Sequence, residues 1–374
     1  MKSVRLDCGF ILTAENLNDM SQTIDYPSDS SQEIVVQPDA LKQLLVKLYV
    51  NEGMFKAEAE TGAARLIEAD LRGIQSHGSR AIGRYLGAMQ AGNIDPRAQI
   101  ITEAESPAMA VLDGGKGLGH VAASKAMELA IAKAREVGTG TVLVKRGQHF
   151  GAASVYPLMA IEAGMIGHAT TSTGPATVAP YGGRQPATAN NAFSWGVPTR
   201  SGPPFVLDMA CAVSSWGKVF SLGLYGDLLP AGWALDADGN ETTDPKLSKT
   251  LLPAAGARGY GLAFLSSVLA GALVGGKMPI HKTWAIEVDG SEHFFYVIDP
   301  AKFGEPDRFY DRLESALADI RALPPADGFD KVRLPGELEW ERSQQRREQG
   351  LPIHRDHARQ LEELAQNANL DVPW

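Results

Sequence analysis

Residues 113–120 read DGGKGLGH and run directly into VAASKAMELAIAKAREVG, a glycine-rich turn opening a helix-forming run. A Rossmann dinucleotide fingerprint needs G-x-G-x-x-G/A, a small third residue for close helix packing, and an acid about 20 residues further on. Counted from Gly115 and Gly117, the third position is His120; counted from Gly117 and Gly119, it is Ala122, which fits only the relaxed form. The stretch about 20 residues on, TVLVKRGQHF, has no acid at a strand end. The loop therefore reads as turn chemistry in which glycine supplies positive φ. A parallel Rossmann sheet is not indicated.

Composition frames the rest. With 374 residues, 44% of them apolar, the chain can bury a full core as two domains or one large one. A net charge of −9 without a lysine and arginine block argues against a nucleic-acid partner. No stretch reads as a membrane helix, CGFIL near the N-terminus is too short for a signal peptide, and a cytoplasmic location is expected. Cys8 and Cys211 are too few and too far apart in sequence for a disulfide framework.

Four regions follow along the chain. Residues 1–36, including DYPSDSSQE, read as a polar extension or edge element. From Pro38, DALKQLLVKLYVNEG places Leu41, Leu44, Leu45, Leu48 and Tyr49 on one helical face, and KAEAETGAARLIEADLRG repeats the pattern. Residues 108–300 alternate helices with β-rich runs such as TVLVKR, FVLDMA and HFFYVID, which makes an α/β body. After Pro300, DRFYDRLESALADIRAL carries apolar residues at 309, 313, 316, 317 and 320. The helical flanks, 37–107 and 301–374, are expected to pack together as a second domain beside the body.

Two of the eight histidines stand among small residues that leave room for a ligand: His77 in GIQSHGSR and His149 in KRGQHFGAAS. An imidazole can give or take a proton near neutrality. The competing assignment for each is a helix cap or a satisfied buried turn. His354 and His357, in HRDH, have a spacing that could present two metal ligands but lie in a polar tail, so a solvated face is expected and no metal is assigned. No GxSxG elbow, HExxH or Walker loop is present.

Taken in order, SHGSRAIGRYL, DGGKGLGHVAA, GQHFGAA, APYGGRQPATANNAF, FVLDMA with the nearby WGKV, LLPAAGARGYGLAFLSSVLAG and RLPGELEWERSQQRREQGLPI resemble the malate/L-lactate dehydrogenase family of the non-Rossmann type. That family includes L-sulfolactate, ureidoglycolate and diketogulonate oxidoreductases and a cyclic imino acid reductase. The resemblance covers nearly all of residues 37–374. It implies an α/β (α+β) fold in which a mostly antiparallel sheet binds the dinucleotide and a helical domain is built from both chain ends. It also implies a homodimer and hydride transfer between NAD or NADP and a small 2-oxo acid, 2-hydroxy acid or cyclic imine.

Carried over by motif, His77 is the general acid/base with Ser76 beside it, and His149 a second active-site histidine. Asp208, Met209 and Ala210 match a strand and turn against the cofactor, and Gly336 and Glu337 match the family's PGE element. Arg258 stands where the family has lysine before GYG, a cation for cofactor phosphate. The chain departs from the pattern elsewhere. Ala81 replaces an arginine four residues after the histidine, the family's candidate clamp for a substrate carboxylate, leaving Arg80 and Arg84 as candidates. The Gly-Thr-Asn-Pro turn retains only Asn191, and Thr-Ser after Asp-Met-Ala is Cys211 and Ala212. These changes leave a second class open: a non-catalytic descendant that binds a small ligand or serves as a dimeric scaffold.

Overall fold

The structure, a computed structural model, describes residues 27–283 and 290–374. Of the expected extension at residues 1–36, residues 1–26 lie outside them. Strand β1 (Glu33–Val36) is an edge element that pairs with Leu351–His354 near the other chain end. Helix α1 (Pro38–Asn51) starts on a proline, which costs nothing where the N–H has no intrahelical acceptor. It buries Leu41, Leu44, Leu45, Leu48 and Tyr49, the face that the apolar spacing predicts. Helices α2 (Lys56–Leu71) and α3 (Ile82–Gln90) complete this layer.

The body follows. Strands β2 (Ile101–Ser106) and β3 (Met109–Asp113) lead into helix α4 (Gly119–Val137) and strand β4 (Thr139–Gly147). Helix α5 (Pro157–Glu162) precedes β5 (Ile166–Ser172), β6 (Ala192–Val197) and β7 (Phe205–Ala210). Helix α6 (Trp216–Tyr225), the short strands β8 (Ala234–Leu235), β9 (Glu241–Thr242) and β10 (Thr250–Leu251), and helix α7 (Ala257–Ser266) lead to β11 (Ser291–Ile298). The chain ends with α8 (Pro306–Arg321), α9 (Glu337–Gln349), β12 (Leu351–His354) and α10 (Arg355–Asn367).

The central sheet has the order β2-β3-β4-β11-β5-β6-β7, and among the described pairs only β3–β4 is parallel. This is the mostly antiparallel, non-Rossmann sheet that the resemblance implies. Helix α4 covers one face. Its Ala122, Ala123, Ala126, Met127, Ala130 and Ala134 share a core with Val142, Val144, Phe295 and Val297. Each of those large side chains is worth roughly 1.5–3 kcal/mol when fully buried. The alanines and Gly140 let the helix lie close: a Cβ at 140 would stand 2.1 Å from Ala130 O.

Residues of the two flanks meet in one cluster. Val36, Leu41, Leu66, Ile82 and Tyr85 share one core with Leu351, Ile353, Ala358, Leu361 and Ala365. Helix α8 contrasts with them: of its apolar stripe only Leu317 is buried.

Two expectations are corrected. The HRDH stretch is not a solvated face. His354 Nδ1 accepts the Asp356 N–H and caps α10, and His357 is buried because α10 turns Ala358, Leu361 and Ala365 into the shared core. Nor is the chain without a run of membrane-helix length, since Ala257–Val274 meets that standard by length and composition. In the fold its small residues Ala263, Ser266, Ser267, Ala270 and Gly271 are buried, with contacts from this run to β5 and β11.

Candidate active site

The first histidine sits on a tight bend. Helix α2 ends at Leu71, Gly73 takes φ +86°, and two 3-10 turns follow, Gln75–His77 and Ser79–Ala81. The Asp70 carboxylate reaches forward and accepts the Ser79 N–H at 2.8 Å. Glycine at 78 leaves room for that carboxylate: a Cβ there would stand 1.8 Å from Asp70 Oδ1. Across the bend, a Cβ at Gly217 would stand 2.1 Å from Ser76 Cβ, so the start of α6 lies against the same turn.

The second histidine follows β4. The opening motif explains its seat, because a Cβ at Gly119 would fall 2.0 Å from Gln148 O and 2.4 Å from His149 O. The glycine-rich turn therefore holds the first turn of α4 against the backbone that carries His149. His293 braces the same loop by donating from Nε2 to Gln148 O at 3.0 Å. The Gln148 carbonyl can only accept, which fixes that tautomer.

The two rings stack, with centroids 5.5 Å apart and planes 23° from parallel. Ser76 Oγ lies 2.7 Å from His77 Nδ1. Three donors converge on His149 Nδ1: Tyr85 Oη at 2.7 Å, Arg84 Nη2 at 2.9 Å and the Gly151 N–H at 3.3 Å. A guanidinium can only donate, so Nδ1 is the acceptor and a neutral His149 carries its proton on Nε2. Burial, then the Arg84 charge, pushes His77 down to about 4. The same causes, with His77 itself added, hold His149 well below the ordinary imidazole range. Both rings are neutral at neutral pH.

The other candidates divide. Arg84, exposed on α3, joins the histidines. Arg80 turns away to donate to Ser221 Oγ at 2.7 Å. Asn191 is fully buried as a framework joint; its amide donates to Ala263 O and Ser267 Oγ while Oδ1 accepts the Thr173 N–H. Asp208, Met209 and Ala210 lie on edge strand β7. Asp208 is solvent-accessible but crowded by its surroundings, which raise its carboxyl, while Ser154 and Arg72 hold it back. Arg258 is exposed in the first turn of α7. Gly336 takes φ +88° and lies so close to Val206 that a Cβ would stand 2.7 Å from Val206 Cβ. Glu337, buried, accepts from Leu334 N and from Arg321.

Tyr85 is the residue that motif spacing passes over: its periodicity marks it as core, and it is buried, but its hydroxyl belongs to His149. His120 is another. It is buried edge-on against Tyr85 with centroids 5.0 Å apart, and both its ring nitrogens lack a hydrogen-bond partner among the described residues. Among the described residues no group of three metal-ligating side chains is assembled.

Comparison with known proteins identifies the family. A family model described as malate/L-lactate dehydrogenase matches residues 36–362. The chain is 35% identical over 344 residues to an L-sulfolactate dehydrogenase of Methanocaldococcus jannaschii, covering 91% of this chain and 98% of that one. It is 32% identical to the ureidoglycolate dehydrogenase (NAD(+)) of Escherichia coli strain K12, covering 81% and 87%. The solved malate dehydrogenase of Pyrococcus horikoshii superposes with a TM-score of 0.84 at 30% identity, covering 93% of this chain and 99% of that one. A matched fold, a family model matched over most of the chain and these relatives, each named a dehydrogenase, lead to one conclusion: this chain is an oxidoreductase of the malate/L-lactate dehydrogenase family.

Proposed function

We propose that the chain transfers hydride between NAD or NADP and a small 2-oxo acid, 2-hydroxy acid or related imine, with His77 as proton donor and acceptor. The observation that carries this is the stacked His77–His149 pair, with Arg84 and Tyr85 both on His149 Nδ1.

A hydroxyl oxidised to a carbonyl must lose its proton as the C–H electron pair departs. His77, held in its basic form, accepts that proton; in the reductive direction it returns one to the developing alkoxide. Ser76 orients the ring through Nδ1, leaving Nε2 for the substrate. Arg84 is the cation for a substrate carboxylate, because Arg80 is committed to Ser221 and position 81 is a buried alanine. A carboxylate at Arg84 also offsets the charge that depresses His77, so substrate binding raises the basicity of the proton acceptor.

NAD or NADP, when bound, supplies the hydride acceptor or donor. The edge of β7 and the start of α6 fit such an extended polar ligand. Ser214 Oγ and Trp216 Nε1 are buried there without a partner among the described residues, an expensive arrangement unless a polar group meets them. Asp208, Met209 and Ala210 would line the cofactor, Arg258 would take phosphate, and Gly336 and Glu337 would support β7 from behind. The apolar face of the α7 region, with Phe264, Leu265 and Leu273 exposed, is the surface for the homodimer.

The test is oxidation of NADH and NADPH against a panel of 2-oxo acids, keto-sugar acids and cyclic imino acids, with His77→Gln alongside. Turnover in the native protein should fall at least 100-fold in the variant. Thermal stabilisation by nucleotide, about 2.7 kcal/mol at 100 times its Kd, should persist. Parallel loss of turnover and nucleotide binding would make His77 a structural residue.

A further inference from the structure

We propose that Asp70 is a positioning residue for His77: its buried carboxylate clamps the Gly78–Ser79 bend and sets the direction in which the imidazole meets His149. The role is specific to the active site proposed above and rests on that proposal. Asp70 is 4% exposed and stands at the end of α2. Its Oδ2 accepts the N–H of Ser79, nine residues along the chain. Its Oδ1 occupies the space beside the Gly78 Cα that any larger residue would need. The helix end is itself fastened from the far flank, where Arg346 Nη1 donates to Asp70 O at 2.5 Å. His77 lies between the clamped residues and the helix end, and its own N–H donates to Ile74 O. Its backbone is therefore fixed on both sides.

The clamp is strongest as a carboxylate. Oδ2 accepts the Ser79 N–H and Oδ1 lies beside the Gly78 Cα, so an added proton turns a charged acceptor into a neutral, weaker one. Protonation therefore loosens the bend. The groups facing Asp70 are Ser79 on the bend and Arg346 from α9, with His357 of α10 behind Ser79. Burial pushes the carboxyl up to about 6, with Ser79 and then Arg346 holding it back. His77 stays in its basic form until about 4. An acid limb of kcat near pH 6 therefore belongs to Asp70, although a histidine is its customary source.

The experiment compares native protein with Asp70→Asn, whose amide cannot titrate and whose oxygen, like that of the protonated acid, is only a neutral acceptor for the Ser79 N–H. The expected result is a kcat at least tenfold lower above pH 6, no acid limb between about pH 5 and 7, and a nucleotide KM within about twofold of native. Ser79→Pro removes the clamped N–H while leaving the carboxylate; proline suits the first position of a 3-10 turn after an extended residue. It should lower kcat similarly, and it decides the matter alone should Asp70→Asn fail to fold. Ring-proton NMR is read in parallel: the His77 and His149 signals should move in both variants and that of His168, across the sheet, should not. An acid limb that survives in Asp70→Asn, full kcat in Ser79→Pro, or unmoved His77 signals would overturn the proposal. The NMR arm needs no turnover. A native protein silent on every substrate would thus count against hydride transfer, while the His77 signals would still decide the role of Asp70.

Discussion

His77 and His149 face each other, yet their seats are built by opposite means. The His77 bend is held by a side-chain charge, the Asp70 carboxylate on the Ser79 N–H. The His149 loop is held by backbone packing: Gly119 beneath its carbonyls, Gly114 against Gly147, and Gly147 against the His293 ring. A charge clamp can be released by a proton without moving the core. A packed backbone has no such release, and disturbing it disturbs the sheet. The proposed active site thus joins a tunable half to a rigid half.

The largest expected effect breaks the rigid half. Gly119→Ala would ordinarily favour a helix's first turn, but here the added methyl would fall 2.0 Å from one carbonyl oxygen and 2.4 Å from another. Neither belongs to a flexible side chain. The expected cost is about 3 kcal/mol or more, at the upper end for overpacking, measurable by denaturant unfolding, with turnover falling in step with stability. Gly78→Ala makes the contrast. Its obstacle is a carboxylate that can swing aside, and φ at 78 is unremarkable at −92°. Activity should fall much further than the melting temperature does. Similar stability losses in both variants would erase the distinction between the two seats.

How much of this could be read from the chain follows the same division. The flanking helices and the alternating strands were legible because their burial repeats at 3.6 or 2 residues. His77 and His149 were legible because their neighbours are small. The function of the glycine-rich turn was not, since what Gly119 avoids is a backbone about thirty residues downstream. Asp70 was equally silent: an acid near the end of an apolar helix looks like a solvated terminus until the chain doubles back and places Ser79 beside it. Tyr85 and His357 were hidden by their periodicity and polarity respectively, as the first looks like core and the second like surface. The alanine at 81 was legible as a departure from the family's motif, but only the fold shows that Arg84, one turn on, reaches His149.

Acid should sharpen the comparison at an intermediate scale. His120 and His293 flank the His149 loop, His168 and His357 are buried elsewhere, and burial pushes the four down to about 3, 3, 4 and 4. Their folded pKa values lie below the unfolded value of about 6.5, so the stability they contribute is present above that pH and is lost as pH falls toward 4. Asp70 has the opposite sign. Raised to about 6, it costs stability above that value and recovers it in acid. Near pH 5 each histidine is worth roughly 2 kcal/mol against folding and Asp70 returns roughly 1–2. Stability should fall between about pH 6.5 and 5, measured by calorimetry. His120→Gln should reduce the slope by about one proton, or roughly 1.4 kcal/mol per pH unit. A flat profile would mean that the imidazoles are not desolvated as the fold implies.

The smallest expected effect lies in the motif that first raised the question of fold. Lys116 takes φ +61° in DGGKGLGH, a left-handed conformation costing an L-residue about 1 kcal/mol or more. Its N–H donates to Arg146 O at 2.8 Å, so the conformation is imposed by the join between this turn and the end of β4. Glycine at 116 keeps that hydrogen bond and removes the strain, at some cost in unfolded-state entropy. Lys116→Gly should gain about 0.5–1 kcal/mol and raise the melting temperature by roughly 1–3 °C, with kcat unchanged because the rigid half keeps its shape. A gain in stability accompanied by a loss of turnover would show instead that strain in this turn is transmitted to His149, and that the backbone-held seat is tuned after all.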